Sequence, residues 1–174
     1  MDLSKYIACI CEGAAEQTII ELLLDNQRLI FQRENLLEEE VLRCRSAKNF
    51  ETQYLRKGFD EGITVLRILD SHSEKFKLSK AYEHKIRVIN VVTAPEIEML
   101  VIIKDGKYAD YKHRHSNVKP SDYCKINLGY SNVKSAKFLS DYFRDVDALT
   151  EVIREYKRVT NVLPGELALA DLLK

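Results

Sequence analysis

Carboxylate side chains follow three apolar segments of the sequence, near the point where each segment ends. Glu12 comes directly after YIACIC, Asp70 directly after ITVLRIL, and the pair Glu96 and Glu98 shortly after IRVINVV. If these segments are neighbouring parallel strands, their carboxyl ends meet at the sheet edge where ligands usually bind. Clustered carboxylates repel one another unless a cation lies between them. The spacing therefore predicts a divalent-metal site built from Glu12, Asp70 and Glu98.

Each of these acids also has a structural interpretation. Glu12 could be a solvated loop residue, or it could complement the dipole of the helix that follows it. Asp70 in DSHSE could cap a turn or helix, because Asp and Ser are favoured at that position. Glu96 fits a capping box with Thr93, in which the glutamate reaches back to the backbone of the cap residue. Glu98 lies in the apolar stretch IEMLVII, where an unpaired carboxylate is costly, so we favour Glu98 as the functional member of the pair.

The periodicity of apolar residues predicts the elements that position these acids. Strands are predicted at 6–11, 28–31, 63–69 and 86–92. Helices are predicted at 14–26, around 47–55, and over most of the chain from about 94 onward, beginning at Thr93 and Pro95. The fold class is therefore α/β, with a mostly parallel sheet of about four strands flanked by helices. We expect a single domain over residues 1–174, with the α/β core at about 5–104 and a helical C-terminal part at about 105–174.

Bulk composition excludes some classes of protein. Lys plus Arg and Asp plus Glu both number 27 in 174 residues, so net charge predicts neither a nucleic-acid nor a membrane partner. No apolar run reaches the roughly 18 to 20 residues that span a bilayer, and the first residues do not resemble a signal peptide. We therefore expect a cytoplasmic protein. Cys9 and Cys11 are two apart on a predicted strand and are interpreted as small buried hydrophobic residues.

Local charge is less even than the total. Between residues 100 and 137 there are eight Lys or Arg against three acids, and the densest part, KYADYKHRHSNVK, includes two tyrosines. Basic residues interleaved with aromatic ones suit contact with a nucleic-acid backbone and stacking on bases, although a solvated surface is the alternative. Two further basic residues flank Asp70 and could hold phosphate oxygens or simply be solvated. The candidate nucleic-acid contacts are Arg67, Lys75, Lys104, Lys112, Arg114 and Lys119.

Two segments of the sequence carry a family resemblance, ICEGAAEQTIIELL at the end of the first predicted strand and PEIEML after the predicted strand 86–92. Together they resemble the Toprim-like domains of the RloB and OLD-type branch found in bacterial phage-defence nucleases. The resemblance covers about residues 6–104. It implies a Toprim-type fold and Mg²⁺- or Mn²⁺-dependent cleavage of DNA or RNA. It further implies that Glu12, Asp70 and Glu98 are metal ligands or the general base, with Glu12 matching the base. A separately encoded partner ATPase would also fit.

One position departs from the pattern of that branch. The usual Asp-x-Asp is Asp70-Ser71-His72 here. His72 could still bind a metal, but imidazole suits Mn²⁺, Fe²⁺ or Zn²⁺ better than Mg²⁺. The alternative function is therefore a catalytically weakened Toprim-like module that binds nucleic acid or a partner protein. The chain has no glycine-rich loop after its first strand, which disfavours a methyltransferase, and no Walker A motif, which disfavours NTP hydrolysis by this chain.

Overall fold

The apolar segments that precede the acids form neighbouring parallel strands. The computed structural model describes residues 3–55, 62–72 and 75–174. A sheet of four strands runs in the order β1-β2-β3-β4, with every neighbouring pair parallel. The strands are β1 (Tyr6–Cys11), β2 (Ile63–Leu69), β3 (Ile86–Val92) and β4 (Leu167–Ala168). This confirms the predicted α/β class, with a parallel sheet of about four strands.

Seven α-helices occur in the described part of the chain, and five of them follow β3. The helical C-terminal half predicted from the sequence is thus confirmed. None of the described helices is both long enough and apolar enough to cross a lipid bilayer. The helices are α1 (Ala14–Asp25), α2 (Ala47–Phe50), α3 (Met99–Lys104), α4 (Tyr108–Arg114), α5 (Pro120–Asn127), α6 (Ala136–Tyr142) and α7 (Val146–Val159).

Both faces of the sheet are covered, which explains why β2 is apolar on both sides. On one face, Cys9, Cys11 and Leu66 belong to a core cluster that includes residues of α1, α3 and α7. On the other face, Val65 packs in a smaller cluster with Phe50 of α2. The side chains of β2 are buried at all seven positions. The cysteine prediction is confirmed, because Cys9 and Cys11 are both free and buried.

The fourth strand is not the one that the sequence suggests. Residues 28–31 were predicted as a strand, but only Leu29 pairs there, through a single antiparallel bridge to Leu173. The fourth strand is instead β4 near the end of the chain. A segment of two residues is too short to carry a periodic signal. Helix α3 also begins later than predicted, at Met99, although the chain does break at Gly106, which adopts a φ of 67°.

Candidate metal centre

Two of the predicted acids leave adjacent strands at the same edge of the sheet. Cys11, the last residue of β1, pairs with Ile68 of β2. Glu12 and Asp70 therefore follow this pair within two residues on strands that lie about 4.8 Å apart. Both residues are half-buried, and Oε2 of Glu12 is fully buried.

Helix α1 adds a third acid, Glu16, which the sequence analysis missed. Its side chain is 7% exposed, and its carboxylate accepts hydrogen bonds from the backbone N–H groups of Gly13 and of Glu16 itself. Burial raises the pKa of Glu16, and the charge of Asp70 raises it further. The two carboxylates therefore lie near each other. The available signal was the spacing of Gly13 and Glu16, which suits a helix cap residue and an acid three positions later.

Gly13 leaves room for this carboxylate. A Cβ atom at Gly13 would lie 2.5 Å from Oε2 of Glu16, so Gly13→Ala is expected to displace the Glu16 side chain. The backbone at Gly13 has φ −124° and ψ 173°, which any residue adopts, and we therefore expect a stability loss below about 1 kcal/mol. If Glu16 supports a metal, calorimetric titration should show Mn²⁺ affinity lowered by about tenfold or more.

The matched control for this substitution is Gly62→Ala. A Cβ at Gly62 would lie 3.5 Å from Oγ of Ser4, which is an ordinary contact. Gly62 lies just before β2, at the edge of the sheet opposite Asp70. Equal Mn²⁺ affinity in the Gly13 and Gly62 variants would contradict a metal-supporting role for Glu16.

Glu98 is the most deeply buried acid near this edge. It occupies the N-cap position of α3 and is 2% exposed. Burial raises the pKa of Glu98 to about 7; the Lys134 ammonium lowers it, and the charges of Glu96 and Glu16 raise it. Close to neutral pH the Glu98 carboxyl therefore exchanges its proton readily.

Glu96 behaves differently although it lies only two residues away. Oε2 accepts a hydrogen bond from the Ser121 N–H at 2.9 Å, and Oε1 lies 3.0 Å from Nζ of Lys134. Burial acts to raise the pKa of Glu96, but these hydrogen bonds outweigh burial and lower it. The predicted capping box with Thr93 is wrong, because the helix begins at Met99 and the Glu96 carboxylate binds elsewhere. We refer to Glu16, Asp70, Glu96 and Glu98 as the acidic cluster.

Lys134 is the counter-ion of this acidic cluster and was also missed among the candidate site residues. Burial lowers the pKa of its ammonium, but the hydrogen bond to Glu96 and the charges of Glu98, Glu96 and Glu16 raise it overall. Its side chain is 52% exposed. No local sequence pattern predicts this contact, because Lys134 is 38 residues from Glu96.

Tyr156 of α7 fixes the segment that leads to the acidic cluster. Its buried hydroxyl lies 2.8 Å from the carbonyl oxygen of Thr93, 2.6 Å from that of Ala94 and 3.2 Å from that of Glu96. The Thr93 hydroxyl in turn donates to the Leu69 carbonyl at 3.0 Å. The loop after β3 is therefore joined both to β2 and to the long C-terminal helix.

The side chain of His72 contacts a residue outside the acidic cluster, and Arg67 is buried in the sheet. Nδ1 of His72 lies 2.8 Å from Oε2 of Glu166, which is outside the acidic cluster. Arg67 is 2% exposed, and its guanidinium lies 4.8 Å from the centre of the Phe76 ring. A phosphate contact by Arg67 does not fit this position, and neither does a solvated surface charge. The burial of Arg67 within β2 could not be predicted from its residue type, because arginine is usually exposed.

The remaining candidate nucleic-acid contacts differ in whether their charged groups already contact other residues of the protein. The Lys104 ammonium lies 4.3 Å from the centre of the Tyr142 ring and donates to the Tyr142 carbonyl. Lys112 lies over the ring of Tyr108 at 5.9 Å. Arg114 pairs with a neighbouring aspartate on α4 at 3.3 Å. Lys75 and Lys119 are exposed, and among the described residues neither has a hydrogen-bond or ion-pair partner for its ammonium.

The chemistry of the acidic cluster suits a hard divalent cation. Carboxylate oxygens are preferred by Mg²⁺ and Mn²⁺, and a cation would favour ionisation of Glu16 and Glu98, whose pKa values are raised mainly by burial. Within residues 3–55, 62–72 and 75–174, no group of three His, Cys, Asp or Glu side chains is arranged so that it could hold one ion.

The fold and site together define an α/β domain with an acidic cluster at the carboxyl edge of a parallel sheet. Comparison with known proteins adds no relative to this description. The sequence matches no model of a protein family, and neither the curated proteins nor the solved structures include a match.

Proposed function

We propose that the protein is a divalent-metal-dependent nuclease that cleaves phosphodiester bonds of DNA or RNA with Mg²⁺ or Mn²⁺. The observation that carries this proposal is the acidic cluster beside Glu12, in which Glu16 and Glu98 are buried with raised pKa values. Buried acids with perturbed pKa values are concentrated at functional sites. The resemblance of the sequence to Toprim-like nucleases supports the same chemistry and suggests a cytoplasmic role in phage defence with a partner ATPase.

The residues of this site would have different roles in the reaction. Glu12, Glu16, Asp70 and Glu98 would hold the metal. A bound metal would supply water of lowered pKa and neutralise charge on the scissile phosphate. Burial raises the pKa of Glu98 to about 7 in the metal-free protein, and a bound cation would favour its ionised form, which suits a metal ligand. Glu12 is the general base that the family resemblance favours, and Lys134 keeps Glu96 ionised through their 3.0 Å contact.

The test is cleavage of end-labelled DNA and RNA by the purified protein with Mn²⁺ or Mg²⁺. We expect cleavage products that disappear when EDTA is added and that the Glu12→Gln variant does not form. Glu155→Gln serves as a control, because the Glu155 side chain is 45% exposed and pairs with Arg158 on α7. Equal cleavage by the wild type and by Glu12→Gln would show that a contaminant is responsible, and the proposal would be lost.

A second function, a catalytically weakened binding module, is favoured by a specific observation. His72 contacts Glu166, and no three described side chains are arranged to hold one ion. Under this alternative the protein binds labelled oligonucleotides or a partner protein but cleaves no oligonucleotide at any Mn²⁺ concentration. Nucleic-acid binding measured beside cleavage therefore separates the two functions.

A further inference from the structure

A cleft of about 450 Å³ opens beside the acidic cluster. Asp70 and Glu96 line it on one side, and residues 116–120, which connect α4 to α5, line it on the other. The Ser121 N–H donates to the Glu96 carboxylate at 2.9 Å, which joins the first turn of α5 to the segment that carries Glu96. A molecule in this cleft would contact the connection and Asp70 at the same time.

The wall formed by residues 116–120 is held firmly. The Tyr111 hydroxyl, beneath the cleft, donates to the Val118 carbonyl at 2.8 Å. The Val118 N–H donates to the His115 carbonyl oxygen at 2.8 Å, and the Lys119 carbonyl accepts the first hydrogen bonds of α5. A binding surface that is already ordered loses little conformational entropy when a ligand binds.

Lys119 provides the positive charge of this wall. Its side chain is exposed and, within the described part of the chain, its ammonium pairs with no acid. The neighbouring basic residues Lys104 and Arg114 contact aromatic rings and an aspartate instead. Because Lys119 lines the same cleft as Asp70, a phosphate held by Lys119 would lie next to the acidic cluster.

We propose that this cleft binds the sugar-phosphate backbone of a single-stranded nucleic acid, with Lys119 contacting a phosphate. The inference rests on the proposed nuclease function and specifies its substrate as a single strand and not an intact duplex. A volume of about 450 Å³ is near the lower end of the roughly 300 to 1,000 Å³ typical of small-ligand pockets, which accommodates a short piece of one strand. Pro95 is exposed and Val118 is half-buried, and both line the cleft, so they provide an apolar surface for a base or sugar.

Binding can be measured without cleavage by fluorescence anisotropy in EDTA. The probes are a labelled oligothymidylate, a labelled oligouridylate and a labelled DNA hairpin of similar length. We expect both single strands to bind more tightly than the hairpin, and Lys119→Glu to weaken their binding by about tenfold. Lys119→Ala should reduce the slope of log affinity against log salt by about 0.7, the value for one phosphate contact with a single strand.

The matched control is Lys125→Glu, because Lys125 is an exposed lysine of the same helix region that does not line the cleft and pairs with Asp122. An unchanged affinity in Lys119→Glu, equal loss in both variants, or hairpin binding as tight as single-strand binding would overturn the inference. A preference between the two single strands identifies DNA or RNA. Single-strand binding that depends on Lys119 but is accompanied by no cleavage with Mn²⁺ would defeat the nuclease proposal alone, whereas EDTA-sensitive cleavage unaffected by Lys119→Glu would defeat this inference alone.

Discussion

Replacement of Asp70 with asparagine is expected to lower Mn²⁺-dependent cleavage by about two to three orders of magnitude. Asp70 follows β2, faces Glu16 and lines the cleft beside Glu96. Asparagine keeps the size of the side chain but removes its charge. A metal ion supplies several kcal/mol of charge stabilisation in the transition state, and each 1.4 kcal/mol corresponds to a factor of about ten in rate, so weakened metal binding has a large effect.

The same substitution should not lower the stability of the folded protein in the absence of metal. The charge of Asp70 raises the pKa of Glu16, which means that the two carboxylates repel each other when both are ionised. Asp70→Asn removes this repulsion, and its thermal unfolding temperature in EDTA should equal or exceed that of the wild type. Asp141→Asn is the control, because Asp141 is exposed and pairs with Arg144. Loss of activity together with a lower unfolding temperature would indicate a structural role for Asp70.

The main strands and the longest helix could be predicted because their signals are local. β2 was predicted at its observed bounds, Ile63–Leu69, since a buried parallel strand is a continuous apolar run. The helical C-terminal part could be predicted because residues such as Val146, Leu149 and Ile153 of α7 recur at helical spacing, and all three are buried. The predicted ends of β1 and β2 also indicated that Glu12 and Asp70 lie at the same edge of the sheet, which the parallel pairing of these strands confirms.

The rest of the site depends on contacts between distant segments. Lys134 reaches Glu96 across 38 residues, and Ser121 reaches it across 25. Neither contact has a sequence pattern, and Glu96 matched a capping box only because cap residues are common in any loop before a helix. Arg67 was misplaced for a related reason. A charged residue normally indicates exposure, but here the ring of Phe76 covers its guanidinium at 4.8 Å.

Replacement of Glu98 with glutamine is expected to stabilise the metal-free protein at alkaline pH. Burial raises the pKa of Glu98 to about 7 from the ordinary value of 4.5, so the folded state binds this proton more tightly than the unfolded state does. The contribution of Glu98 to stability is therefore fully present below about pH 4.5 and is lost as pH rises through about 7. The total loss is about 3 kcal/mol. Glutamine stays neutral, so the variant should match the wild type near pH 4 and exceed it by about 3 kcal/mol near pH 8.

Urea unfolding of both proteins in EDTA across this pH range measures the difference directly. Glu155→Gln, at a half-buried position on α7 where Glu155 pairs with Arg158, should follow the wild-type curve. Mn²⁺ should then restore stability to the wild type near pH 8, because a ligand that binds only the folded state stabilises it, and should act less on Glu98→Gln, which lacks one carboxylate. Parallel pH curves for the wild type and Glu98→Gln would mean that the Glu98 carboxyl ionises as easily in the folded chain as in the unfolded one. Equal Mn²⁺ stabilisation of both proteins would contradict a metal-binding role for Glu98. It would not contradict the raised pKa of the Glu98 carboxyl.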